Sequence, residues 1–230
     1  MTTNNLQLQV NNESKIWSGF SNAVYDAQSI FRSALTAMSE PGTIQTITHL
    51  DSNFIEEFES GENALHPSTY AIALTLIDQT NTLGISENLF SNQNSQSLKF
   101  HAGCQIRTGQ ELDSKHMIDF MIVSMPELTK YSAMEAISKG DLAMPEVSST
   151  LIIQVDKLSS QTFEQAVQFT LQGPGIESTR EVYVSSYEQS LISIFTENRQ
   201  QFPLGIDVFL SSKDQFLAIP RTTTVTVIEA

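Results

Sequence analysis

Apolar positions recur along the chain with two spacings, one helical and one extended, and their succession predicts most of the architecture. Val24, Ala27, Phe31, Ala34, Leu35 and Met38 fall at three- and four-residue steps. That stripe predicts a helix, capped by Ser21 or Asn22 and stopped by Pro41-Gly42. Residues 43–48 read as a short Thr-rich strand. A second helix opens at Pro67, with Tyr70, Ala73, Leu74 and Ile77 on one face and Ile72 and Leu76 widening it. Residues 83–86 suggest a short strand, 91–97 a polar loop, and 116–124 an interior strand of nearly continuous apolar character. Residues 128–139 read as a helix ending at Gly140, and 150–155 as another apolar strand.

The last third is β-rich. Val167, Phe169 and Leu171 alternate with polar neighbours, Gly173-Pro174-Gly175 forces a turn, and residues 180–184 supply a partner strand. Ser186-Tyr187-Glu188-Gln189 fits a capping box opening a helix with Tyr187, Leu191, Ile194 and Phe195 on one face. Strands follow at 204–210, 216–219 and 224–228, the first two joined by a hairpin turn at 211–214. Helices and strands alternating before a β-rich close predict an α/β fold with a mixed sheet flanked by helices. With 230 residues, 40% of them hydrophobic, one such domain is expected over 16–230, preceded by a flexible polar lead-in at 1–15.

Charge narrows the function. Acidic residues number 26 against 12 basic, a formal net charge of −14, and that field repels nucleic-acid backbones and anionic membrane faces. The charged fraction is only 17%, below the roughly 25% of ordinary soluble domains, so the neutral polar surface leaves room for protein interfaces. A single cysteine, Cys104, cannot form an internal disulfide or a thiolate metal cage, which points to a reducing compartment, the cytoplasm. Cys104 itself reads as a buried spectator thiol and Trp17 as a core or interface anchor.

The chain lacks the phosphate-binding loop, G-x-G-x-x-G, H-E-x-x-H and the G-x-S-x-G elbow. His49, His66, His101 and His116 lie 17, 35 and 15 residues apart, which is no metal-ligand spacing. These residues alone give no complete catalytic constellation.

Four ordered stretches carry more than fold signals. They are Ala27-Gln28-Ser29-Ile30-Phe31-Arg32 running into Ala37-Met38-Ser39-Glu40-Pro41-Gly42, then Gly173-Pro174-Gly175-Ile176, then Phe202-Pro203-Leu204-Gly205-Ile206-Asp207, and finally Ile219-Pro220-Arg221-Thr222-Thr223. In this order, from Asp26 to Val227, they resemble the PhnH family of the bacterial carbon–phosphorus lyase system. The resemblance implies a subunit working with subunits G, I and J in a phosphonate-degrading core complex. That complex couples ATP to a phosphonate such as methylphosphonate, releases adenine and forms ribose 1-methylphosphonate 5-triphosphate. It further implies a homodimer whose fold is similar to pyridoxal-phosphate-dependent transferases but has lost its cofactor. Pyridoxal phosphate is accordingly not expected. The seven lysines, Lys139 included, offer no evident Schiff-base setting, and Lys139 reads as a cation near a helix C-terminus. The alternatives are a stand-alone binding protein for a phosphorylated or phosphonate metabolite, and a transferase that retains the cofactor.

Candidate residues follow from the stretches. Arg221, Thr222 and Thr223 offer a guanidinium fork, two hydroxyls and backbone amides to a phosphate or phosphonate oxygen. Pairing of Arg221 with a carboxylate, and threonines that simply suit a strand, describe the same residues equally well. Asp207 interrupts Leu204, Ile206, Val208 and Leu210, and alternation turns it away from them. An ion pair with Arg32 or Arg221 is the expected use of such a carboxylate. Arg32 can alternatively reach an anionic ligand. Ser39-Glu40-Pro41-Gly42 stops a helix, with Glu40 surplus to that task. Gly173-Pro174-Gly175 is either a tight turn or a close approach of backbone amides to a ligand.

Overall fold

The computed structural model describes residues 16–58, 65–112, 117–132 and 136–228; the expected lead-in at 1–15 lies outside them. In chain order the elements are α1 (Ala23–Ser39), β1 (Gln45–Thr46), α2 (Ser52–Glu56), α3 (Pro67–Leu76), β2 (Thr82–Ile85), α4 (Asn92–Ala102), β3 (Gln105–Thr108), β4 (Phe120–Ser124) and α5 (Leu128–Ser132). Then follow β5 (Thr150–Gln154), β6 (Leu158–Ser159), β7 (Val167–Gln172), β8 (Arg180–Val184), α6 (Gln189–Gln201), β9 (Asp207–Ser211), β10 (Gln215–Ile219) and β11 (Thr224–Ile228).

The first sheet has seven strands in the order β1-β10-β9-β5-β4-β2-β3, and the second has four in the order β11-β7-β8-β6. In the larger sheet β3, β2, β4, β5 and β9 run parallel, whereas β10 is antiparallel to both its neighbours. The fold is therefore α/β with a mixed sheet flanked by helices, as the alternation of elements predicts.

Strand pleating divides the core in two. Ile122, Ile152 and Phe209 point to one face, where they meet α1, α3, α4 and the aromatic group around Phe54 and Tyr70. Met121, Val123, Leu151, Ile153, Val208 and Leu210 point to the other, against α5, α6 and the smaller sheet. Central strands covered on both faces have no solvent side, which is why they are continuously apolar rather than alternating.

Three expectations are corrected. Residues 91–97 are not a loop but the first turns of α4, which shows little apolar periodicity because it buries polar groups. Ser91 accepts from the Asn94 amide, Asn94 accepts from Trp17 Nε1 at 2.8 Å, and Ser97 accepts from the Trp17 backbone N–H. Trp17 is thus a core anchor, stacked on Phe58 with centroids 4.7 Å apart. The helix expected over 128–139 ends, as far as described, at Ser132; Ile137 instead bridges Ile118 in parallel, and Lys139 caps no helix. The capping box at Ser186 does not form: α6 starts at Gln189, and Glu188 accepts from Thr129 Oγ1 of α5 instead.

The stripe of α1 is also wider than its seat. Ile30, Ala34 and Ala37 are buried, and the two alanines let the helix lie close on α3 and β10. Val24, Phe31 and Leu35 of the expected stripe face outward with Tyr25. No described helix is long and apolar enough to cross a membrane. Cys104 is buried, and desolvation pushes its thiol pKa up, so it is an inert core residue.

His66 caps α3 at the carboxyl ends of β5 and β9, its N–H donating to Gln154 Oε1 at 2.7 Å and its Nδ1 lying 3.4 Å from the Ser211 carbonyl. Burial holds its pKa below the ordinary 6.5, outweighing the Ser211 carbonyl and Asp156, which pull it upward. A histidine depressed in the folded state is protonated first in the unfolded chain. Its stabilising contribution is complete above pH 6.5 and is lost as pH falls toward the lowered folded value. Urea midpoints at pH 7.5 and 5.5 should therefore differ more for the wild type than for His66→Gln; an equal loss in both would show that the imidazole does not contribute.

Candidate functional site

The four sequence stretches converge on one corner of the fold. At the end of α1, the carbonyls of Glu40 and Pro41 accept from Arg180 Nη1, each at 2.8 Å, and Thr43 Oγ1 accepts from the same nitrogen at 2.6 Å. Gly42, at φ +79°, donates to the Ala218 carbonyl. The Gly173-Pro174-Gly175 turn wedges between this helix end and the 222–223 turn. A Cβ on Gly175 would lie 1.9 Å from Ser39 O, and one on Gly173 would lie 3.1 Å from Thr222 O. The close approach that these glycines permit is therefore to the chain's own backbone.

Arg221 closes the corner. Its Nε lies 3.2 Å from both Asp207 oxygens, and Nη2 donates to Asp207 Oδ2 at 2.5 Å and to Ser148 Oγ. Nη1 donates to the Pro145 carbonyl at 2.8 Å, while the Arg221 backbone N–H donates to Asp207 Oδ1. The two side chains are only 14% and 17% exposed. A guanidinium so engaged is a clamp, with little capacity left for an anion. Of the two partners considered for Asp207, the structure selects Arg221. Arg32 is exposed on α1 and pairs with no described carboxylate.

Thr222 is exposed, whereas Thr223 is buried with its hydroxyl unbonded. Both line a shallow pocket of about 300 Å³ with Pro174, Arg199 and Phe202. Ser39 and Glu40 are exposed beside the corner. Among the described residues no cluster of three or more His, Cys, Asp or Glu side chains could hold a metal ion.

Behind the clamp lies a larger cleft of about 690 Å³, walled by α5, α6 and residues 137–140. Lys139 and Glu197 form an ion pair at its mouth. Thr129, Ser132, Ser138, Ser190 and Ser193 bring hydroxyls, and Ile137, Ile194 and Ile206 an apolar base. Asn198 fixes the floor, accepting from the Ile206 N–H at 2.9 Å and donating to the Ile206 carbonyl at 2.8 Å. The Gly205 N–H donates to the Lys139 carbonyl at 2.9 Å. The clamp and the cleft thus share the segment from Lys139 to Ser148.

Sequence reasoning missed Ser148, Glu197 and Asn198. Only Asn198 left a signal: it occupies the next stripe position after Leu191, Ile194 and Phe195, where an apolar residue is expected.

The profile of a family described as bacterial phosphonate metabolism protein (PhnH) matches residues 18–226. A protein of Rhizobium meliloti (strain 1021), named alpha-D-ribose 1-methylphosphonate 5-triphosphate synthase subunit PhnH, is 26% identical over 212 residues, covering 92% of this chain and 96% of that protein. The putative C-P lyase subunit protein HtxG of Stutzerimonas stutzeri is 25% identical over 197 residues, covering 85% and 84%. The match spans all four converging stretches, and the chain belongs to the PhnH family of bacterial phosphonate metabolism proteins.

Proposed function

We propose that this chain is a subunit of the carbon–phosphorus lyase assembly that couples ATP to a phosphonate, with release of adenine and formation of ribose 1-methylphosphonate 5-triphosphate. The observation that carries the reading is the end-to-end similarity to the Rhizobium meliloti synthase subunit. On this reading residues 16–230 act as one cytoplasmic domain, with subunits G, I and J supplying most of the chemistry. The signature corner serves chiefly to hold the scaffold, since Arg221 is committed to Asp207.

A subunit needs a face for its neighbours. The outward row of α1, with Val24 74% and Tyr25 71% exposed beside Phe31 and Leu35, supports such a contact. It also supports pairing of the chain with itself as a homodimer when the other subunits are absent. The scaffold is read as a transferase fold working without pyridoxal phosphate. In support, among the described residues Lys99, Lys157 and Lys213 are exposed, and Lys130 and Lys139 are engaged by Glu87 and Glu197; a Schiff-base lysine requires burial to lower its pKa.

Co-expression with the three partner subunits, followed by affinity purification and assay of adenine release, tests the proposal. The chain should co-elute, its omission should abolish adenine release, and Phe31→Asp with Leu35→Asp should release it from the assembly while its thermal midpoint holds. Failure of the wild-type chain to co-elute would reject the reading.

A further inference from the structure

We infer that the cleft between α5 and α6 is a binding site for a ribosyl group, recognised through its vicinal hydroxyls. The inference rests on the subunit reading and deepens it, naming the part of the substrate that this chain takes. Three features of the cleft select the ligand class.

Volume comes first: about 690 Å³ lies within the range of small-molecule sites and well above that of a single anion. Charge is the second. Among the described lining residues Lys139 is the only cation, and its ammonium is neutralised by Glu197. A polyphosphate requires a surplus of positive charge, and this chain, at −14, has none to lend from afar.

The third feature is the pattern of polar groups. A carboxylate accepts two hydroxyls at once, the same chemistry by which an acidic side chain reads a ribose diol in dinucleotide sites. Glu197 is exposed enough to do so, its side chain retaining 43% of its accessibility. Lys139 then donates to the sugar oxygens. Thr129 donates to Glu188 and lies 3.3 Å from Ser190 across the α5–α6 seam, so the two hydroxyls keep acceptor capacity toward the hydroxyls of a sugar. Ile194 and Ile206 offer the apolar base on which the C–H face of a sugar rests.

The cleft is also held ready. Asn198 fixes its floor, and Arg221 ties the Lys139-bearing segment to Asp207 through Pro145 and Ser148. Such preorganisation lowers the ordering cost of binding.

Calorimetric titration of the full chain, alone and in the co-purified assembly, tests the inference with D-ribose 5-phosphate, 2-deoxyribose 5-phosphate and inorganic tripolyphosphate. Ribose 5-phosphate should bind, the deoxy sugar should bind at least tenfold more weakly, and tripolyphosphate should not compete. Glu197→Gln should weaken ribose 5-phosphate at least tenfold with an unchanged thermal midpoint, and Ser193→Leu, which fills the cleft, should abolish binding. No sugar binding in either preparation, equal competition by tripolyphosphate, or an unaffected Glu197→Gln protein would overturn the assignment. Co-elution without sugar binding removes this inference alone; sugar binding without co-elution removes the subunit reading and leaves the cleft as assigned.

Discussion

Arg221→Ala will cost the protein about 3–5 kcal/mol of folding free energy, the loss expected when one partner of a buried ion pair is removed. The magnitude follows from what stays behind. Asp207 is only 17% exposed, and it loses two charge-assisted hydrogen bonds from the guanidinium. The Pro145 carbonyl and the Ser148 hydroxyl lose their donors in the same step. Arg221→Lys will recover only part of the loss, because an ammonium cannot reproduce the planar fork that reaches Asp207, Pro145 and Ser148 together. In Asp207→Asn combined with Arg221→Ala, no charge is stranded, so the double variant will lose less than the sum of the singles. Urea unfolding followed by circular dichroism, applied to the wild type, Arg221→Ala, Arg221→Lys, Asp207→Asn and the double variant, measures these losses. A loss below about 1 kcal/mol for Arg221→Ala would mean that the pair behaves as a solvated surface contact.

The second large effect is steric. Gly175→Ala must keep φ near +82° and fit a methyl group 1.9 Å from the Ser39 carbonyl oxygen and 2.9 Å from its carbon. Positive φ costs a non-glycine residue roughly 1–2 kcal/mol. The clash is with backbone, which cannot rotate away, so the turn must separate from the end of α1, at about 1–3 kcal/mol more. Gly103→Ala is the natural control. Gly103 also sits at positive φ, +70°, ending α4, but its nearest neighbour would be the Gln79 Cβ at 3.5 Å. The difference between the two variants isolates the contact from the backbone term. If Gly175→Ala unfolds at the same urea concentration as Gly103→Ala, the corner is looser than its geometry implies.

Strands were legible wherever one feature dominated the local sequence. In β7 and β8 apolar alternation surrounds a Gly-Pro-Gly turn, and β11 is a run of β-branched residues; their limits follow from period and turn chemistry. The α4 helix was illegible for the opposite reason. Its buried positions include Asn94, Ser95 and Ser97; Asn94 and Ser97 find partners in Trp17, some 80 residues away, and no local period encodes that. The Asp207–Arg221 pair could be anticipated because a carboxylate interrupting Leu204, Ile206, Val208 and Leu210 must find a cation. Nothing local announced Ser148 or the Lys139–Glu197 pair, which depend on how residues 137–148 fold back over α6.

The two hydrogen bonds between Asn198 and Ile206 have a mechanical consequence. By offering one acceptor and one donor in register, the side-chain amide imitates a neighbouring strand, so the helix and the approach to β9 are welded into a single lever. Tilting α6 drags Ile206 with it, and Ile206 leads directly to Asp207. Any force applied to the outer end of that helix is transmitted to the central sheet rather than absorbed by a hinge.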